Sequence, residues 1–142
     1  MATTTAQPLN IIVTGCSTGI GNAIAIHLAT LGHTVFATMR RAASRKEGRQ
    51  LRQLAARNAL NLYTIDHDVD DEQSTARCLG ECFHLATSGN IDVLINNAGV
   101  GGKVAPVEES EFDDFERIVS VGASCSFVFL HYFFAYTILY YN

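Results

Sequence analysis

Residues Thr14-Gly15-Cys16-Ser17-Thr18-Gly19-Ile20-Gly21 have the types and spacing to grip a phosphate. Glycine lets a backbone turn sharply and lets a diphosphate approach without meeting a Cβ. An apolar run, Leu9 to Val13, reads as a buried strand before this stretch, and an apolar-periodic run, Ile20 to Leu31, reads as a helix after it. A glycine-rich turn in that setting aims the free N–H groups of the helix, and the positive end of its dipole, at an anion. The glycines fall as G-x-x-x-G-x-G, a pattern that alone also suits an ordinary tight turn. Its setting favours the cradle. Gly32 stands where the helix should stop, and His33 to Met39, rich in β-branched and aromatic residues, reads as a second strand. Together these form a strand–helix–strand unit, expected to be right-handed and parallel.

Further elements must position that loop. Ser44 to Arg57 reads as a surface helix with Leu51, Leu54 and Ala55 as its apolar stripe. Leu60 to Ile65 alternates as a third strand and runs into Asp66-His67-Asp68-Val69. Asp71 to Thr87 reads as a helix with Ala76, Leu79, Phe83 and Ala86 at core spacing, and Ser88-Gly89-Asn90 as a break. Ile91 to Ile95 reads as a buried fourth strand entering Asn96-Asn97-Ala98-Gly99. Ser110 with Asp113 has the spacing of an N-cap pair opening a last helix. Strand and helix alternate, so the fold class is α/β, a doubly wound parallel sheet of about four strands with helices on both faces.

With 142 residues there is room for one modest domain, and 48% hydrophobic content suits a packed core. Residues 1–8 read as a flexible tail without the features of a secretory signal, so the expected location is cytoplasmic. Cys16, Cys78, Cys82 and Cys125 form no C-x-x-C pair; reduced thiols are expected and no metal site. Charge divides between the halves, +6 over residues 1–65 and −10 over 66–142. The cluster Arg40, Arg41, Arg45, Lys46, Arg49, Arg52 and Arg57 lacks interleaved aromatics, which argues for a solvated helix face rather than a nucleic-acid patch. His27, His33 and His84 read as helix or turn residues, and His67 shows no evident partner.

Three motifs now stand in order at strand ends, and over about residues 9–121 the chain resembles the N-terminal half of a short-chain dehydrogenase/reductase. Thr14 to Gly21 matches that family's T-G-x-x-x-G-x-G, Asp68-Val69 its acidic residue after the third strand, and Asn96 to Gly99 its N-N-A-G. The resemblance implies a partial Rossmann fold that binds a dinucleotide and transfers hydride between it and a carbonyl or alcohol. It assigns cofactor binding to Thr14, Gly15, Ser17, Thr18, Gly19, Ile20, Gly21, Asp68, Val69, Asn96, Ala98 and Gly99. Asp68 is expected at the adenine, Asn96 to tie strand ends through its amide, and Ala98 and Gly99 to leave room for the nicotinamide ribose. An NAD site places an acid at the end of the second strand; here stand Met39, Arg40 and Arg41. A guanidinium grips a 2′-phosphate with paired hydrogen bonds, so NADP is expected, with Arg40 as its main contact and NAD as the alternative.

The family's proton-transfer pair is missing. Only Lys46 and Lys103 are present, and no Tyr-x-x-x-Lys occurs, so no catalytic residue is assigned. Gly122 stands where the family carries an Asn. Residues 122–142 contain no Lys, Arg, Asp or Glu and read as an atypical aromatic tail, as a truncated product read through an intron would look. Residues 118–141 are also long enough and free enough of charge to be weighed as a membrane anchor, though serines and His131 dilute them. The fourth strand would be an apolar edge open to self-association. Two functions remain in view: an NADP-dependent oxidoreductase by descent, inactive in this form, or a non-catalytic nucleotide-binding or interaction fragment.

Overall fold

The computed structural model describes residues 7–86, 88–101, 111–124 and 130–131. Residues 1–6, Ser110, Cys125 and most of the candidate span 118–141 lie outside them. Among the described residues four strands, β1 (Asn10–Val13), β2 (Thr34–Met39), β3 (Leu62–Asp66) and β4 (Val93–Ile95), form one parallel sheet in the order β3-β2-β1-β4. Helices α1 (Gly19–Thr30), α2 (Lys46–Arg57) and α3 (Glu72–Leu85) are the crossovers, and α4 (Phe112–Val119) runs into a π-helical turn, Ser120–Ser124. Val13 pairs with Ala37 on one side and Ile95 on the other, so β1 is central.

Alternation along the strands builds two cores. Ile11, Val13, Val35 and Ala37 face Ala25 and Ala29 of α1 and Leu51 and Ala55 of α2. Ile12, Phe36 and Ile65 face Cys78, Leu79 and Cys82 of α3. Successive strand residues point to opposite faces, and helices pack on both faces of this sheet. That is the reason Asn10–Val13 and Thr34–Met39 are buried at every position. Of the stripe expected on α3, Leu79 and Ala86 are buried, while Ala76 and Phe83 are half-buried and the two cysteines take the inner positions.

Several boundaries differ from the sequence expectation, each for a local reason. α2 begins at Lys46 rather than Ser44, because the Arg41 carbonyl accepts from the amides of Ser44 (3.1 Å) and Arg45 (2.9 Å) in a turn of its own. β3 begins at Leu62, because the Leu60 amide is tied back to the Ala55 carbonyl at 2.9 Å. β4 holds only three residues. Ile91 is buried but unpaired in the ladder, and the Asp92 carboxylate accepts the Asn10 amide at 2.7 Å in place of a backbone carbonyl. β4 stands at one edge of the sheet and is half-buried rather than buried.

Candidate functional site

After β3 the chain crosses over the sheet to place β4 beside β1. The strand order therefore reverses between β1 and β4, which is where open parallel sheets bind ligands. A cavity of about 370 Å³ lies there, at the carboxyl ends of the strands. Gly15, Ser17, Thr18 and Ile20 line it from the loop after β1, and Met39 and Arg40 from the end of β2. Asp68 and Val69 line it from the segment after β3, and Ala98 and Gly99 from the segment after β4. Thr14, Gly19, Gly21 and Asn96 do not line the cavity.

The first of these four builds the site instead. Thr14 is 2% exposed, and its hydroxyl accepts from the backbone amides of Asn97 (3.0 Å) and Ala98 (2.9 Å). Its own amide donates to the Ile95 carbonyl at 3.0 Å. One hydroxyl thus locks the loop after β4 against the loop after β1. The tie expected of Asn96 belongs to Asn97, whose amide donates to the carbonyls of Thr14 (2.9 Å) and Gly15 (3.4 Å), while Asn96 is exposed. Alternation past β4 turns the second asparagine inward.

The two loops touch without room for side chains. A Cβ on Gly15 would lie 2.7 Å from the Ala98 Cα, and one on Gly21 would collide with the Asn97 side-chain amide. Gly19 differs: its φ is +64°, and a Cβ there would meet nothing within 4 Å. The loop is open to solvent on that side. Thr18 precedes α1 in extended conformation and makes no capping bond, and the first turn of α1 holds no acid. By contrast, Asp71 caps α3 by accepting from the Gln73 amide, with Glu72 in the first turn. The start of α1 therefore keeps its amide donors and positive dipole end for an anion.

Cys16 is fully buried in the same loop, its thiol donating to the Val13 carbonyl at 3.1 Å. Burial pushes its pKa up to about 12, so it is inert as a nucleophile. His67 has partners after all. Nδ1 lies 3.1 Å from the Thr38 hydroxyl and Nε2 lies 3.1 Å from the Thr75 hydroxyl. Thr75 in turn donates to the Asp71 carbonyl at 3.2 Å, so the ring bridges β2 to the start of α3. Cys82 hydrogen-bonds the Cys78 sulfur, which lowers the pKa of Cys78 and raises that of Cys82.

The basic cluster divides. Arg52 reaches Thr64 Oγ1 at 2.8 Å and the Ala42 carbonyl at 3.0 Å, and Arg49 bonds the Ser44 carbonyl. Arg52 is half-buried and braces the fold, while Lys46, Arg49 and Arg57 stay exposed on the solvated face expected of this helix. Arg40 and Arg45 line the main cavity and also an adjoining one of about 560 Å³, where Arg41, Asp66 and Arg77 join them. Sequence reasoning missed Arg45, Asn97 and Arg117. Arg117 arrives on α4, and the Ser120 hydroxyl binds Asp70 at 2.7 Å to hold the following turn near the loop after β3. Asn97 had a sequence signal in its place beside Asn96, and Arg45 one in the basic cluster after the second strand; Arg117 had none.

A family model described as short chain dehydrogenase matches residues 9–137, past Val121 where the readable motifs stop. Human retinol dehydrogenase 8 is 37% identical over 108 residues, covering 72% of this chain and 32% of the relative. The NADP-dependent 3-hydroxy acid dehydrogenase of Shigella flexneri is 30% identical over 109 residues, covering 77% of this chain and 41% of its own. This chain thus spans well under half the length of both relatives. Among solved structures, a blue fluorescent protein from a metagenomic library in complex with NADPH superposes with a TM-score of 0.74 at 30% identity, covering 88% of this chain and 49% of that one. The NADPH-bound carbonyl reductase from chicken fatty liver has the same fold, with a TM-score of 0.79 at 23% identity over 89% of this chain and 51% of its own. Motifs, topology and whole-chain match agree: the chain belongs to the short-chain dehydrogenase family.

Proposed function

We propose that this chain is the dinucleotide-binding part of an NADP-dependent oxidoreductase acting between a carbonyl and an alcohol, and that residues 1–142 alone bind the cofactor without turnover. The observation that carries the reading is the cavity at the reversal of strand order, with an uncapped, acid-free helix start at one wall and two arginines at another. The residues present fit a dinucleotide. The open side of Gly19 and the free amides of α1 suit a diphosphate. Asp68 and Val69 stand where an adenine would lie, and Ala98 and Gly99, small residues, leave space for the far ribose. Arg40 and Arg45 provide the charge a 2′-phosphate needs, and no acid occupies the end of β2. The names of the Shigella relative and of the NADPH-bound neighbours support the same cofactor.

When bound, the nicotinamide supplies a hydride donor or acceptor. The residues of this chain bind and orient it; Thr14 and Asn97 set the width of the slot, and no Tyr-x-x-x-Lys is present to move a proton at the substrate oxygen. Positioning without proton transfer leaves most of the barrier standing. The same reading places the protein in the reducing cytoplasm, with Cys16, Cys78 and Cys82 as buried thiols. The apolar edge of β4 supports self-association of this form, measurable by sedimentation.

Calorimetry of the chain with NADPH and NADH tests the cofactor assignment, with Arg40→Ser as the variant. NADPH should bind more tightly, and the substitution should cost it about tenfold while leaving NADH within about twofold. Equal or tighter NADH binding overturns the assignment. NADPH absorbance with a panel of ketones and aldehydes should stay at background; turnover above it overturns the binding-only reading.

A further inference from the structure

Arg41 has a φ of +57°, in the left-handed region that a long β-carbon-bearing side chain rarely occupies. Its amide donates to Asp66 Oδ1 at 2.6 Å, from the last residue of β3 to the first turn beyond β2. The Arg41 carbonyl in turn accepts from the amides of Ser44 and Arg45, closing the turn that leads into α2. One carboxylate therefore holds the strained residue that lies between Arg40 and Arg45. Those two arginines line both the main cavity and the adjoining one, and Asp66 lines only the adjoining one. Strain of this kind persists where surrounding bonds over-determine it, and it gathers at binding sites.

We infer that Asp66 is a positioning residue for cofactor choice: by pinning the Arg41 amide it sets Arg40 and Arg45 as a pair that grips a 2′-phosphate. The inference rests on the reading of the cavity as a dinucleotide site and adds a residue to it. By charge alone an acid at this place should repel that phosphate and favour NADH. Through the pinned turn its effect is the opposite. The two accounts therefore predict opposite signs for the removal of Asp66.

Calorimetry with NADPH and NADH separates them on four chains: unsubstituted, Asp66→Ala, Arg41→Gly and the double variant. Asp66→Ala should weaken NADPH about tenfold and NADH by no more than about twofold, the loss of one hydrogen bond to an ionised acceptor. Glycine takes a positive φ without help, so in the Arg41→Gly background the further removal of Asp66 should cost nothing. Comparison against Arg41→Gly alone removes the contribution of the Arg41 side chain. Asp66→Asn keeps an acceptor oxygen without the charge and should bind NADPH as well as the unsubstituted chain does, or better. Thermal melts by circular dichroism identify any variant that has not folded, and Asp66→Ser, whose hydroxyl is too short to reach the Arg41 amide, carries the test with the same expected tenfold loss if the Ala variant fails. Unchanged or tighter NADPH binding by Asp66→Ala overturns the inference. So does equal weakening of both cofactors, an undiminished cost in the Arg41→Gly background, or loss of NADPH binding by Asp66→Asn. Absence of binding by the unsubstituted chain overturns the cofactor reading itself, and the inference with it.

Discussion

Thr14→Val isolates the contribution of one oxygen atom to this site. Valine matches threonine in shape, so the change leaves no cavity and removes only hydrogen bonding. Two backbone donors lose their acceptor: the amides of Asn97 and Ala98, at 3.0 and 2.9 Å. They lie 83 and 84 residues away in the sequence, so the bonds close a long loop as well as a short gap. Leaving a buried donor unsatisfied costs about 1–3 kcal/mol. Both contacts are part-buried, and the Asn97 side chain keeps its own bond to the Thr14 carbonyl, so the low end applies to each. The sum is about 2 kcal/mol, a large share of the roughly 5–15 kcal/mol that holds a domain together. With a urea dependence of about 1–3 kcal/mol per molar, the unfolding midpoint should fall by about 1 M. Thr14→Ser keeps the oxygen and loses one methyl, and should cost about 1 kcal/mol or less. Urea titration followed by circular dichroism gives both values on the same scale. If the valine variant unfolds within about 0.2 M of the serine variant, the hydroxyl is not what joins the two loops.

Further outcomes follow from the same geometry. Gly15→Ala adds a left-handed strain at φ +72° and a contact of 2.7 Å with the Ala98 backbone, so it should destabilise the fold by about 2–3 kcal/mol in thermal unfolding. Gly19→Ala meets nothing within 4 Å and should cost only about 1–2 kcal/mol, yet its methyl enters the open side of the loop and should abolish NADPH binding by calorimetry. Cys16 adds an alkaline limit. Its folded pKa of about 12 exceeds the ordinary 9.0, so its contribution is complete below pH 9 and is lost as pH rises toward 12. Stability should fall there by up to about 1.4 kcal/mol per pH unit, and Cys16→Ala, less stable at pH 7, should show a correspondingly flatter decline in urea titrations between pH 9 and 11.

How much of this was legible from residues alone differs by element. The glycine turn between β1 and α1 was, because its geometry is local: such a turn owes its shape to neighbours in the chain. The β2 and β3 ends were legible for the same reason, as a β-branched and aromatic run stopping at Arg40 and an alternating run stopping at Asp66. The role of Asn97 over Asn96 was not. Which of two adjacent asparagines turns inward depends on strand register, and β4 starts late because Asp92 substitutes a side chain for a ladder bond. The places of Arg45 and Arg117 at the cavity were equally hidden, since a turn closed by Arg41 and a hydroxyl bond to Asp70 bring them there.

The sequence by itself determined the alternation of strands and helices, the buried character of β1 and β2, and the glycine turn that joins β1 to α1. Each is written in a window of a few residues, where periodicity, glycine freedom and residue chemistry act without distant help. Tertiary structure decided which groups face the cavity and which brace it. Thr14 became a clamp and His67 a bridge between two threonines. Arg52 became a strut, and Asp66 the anchor of a strained turn. The reason is that a hydrogen bond is assigned by proximity in space, and the parallel crossovers bring together atoms that the chain keeps dozens of residues apart.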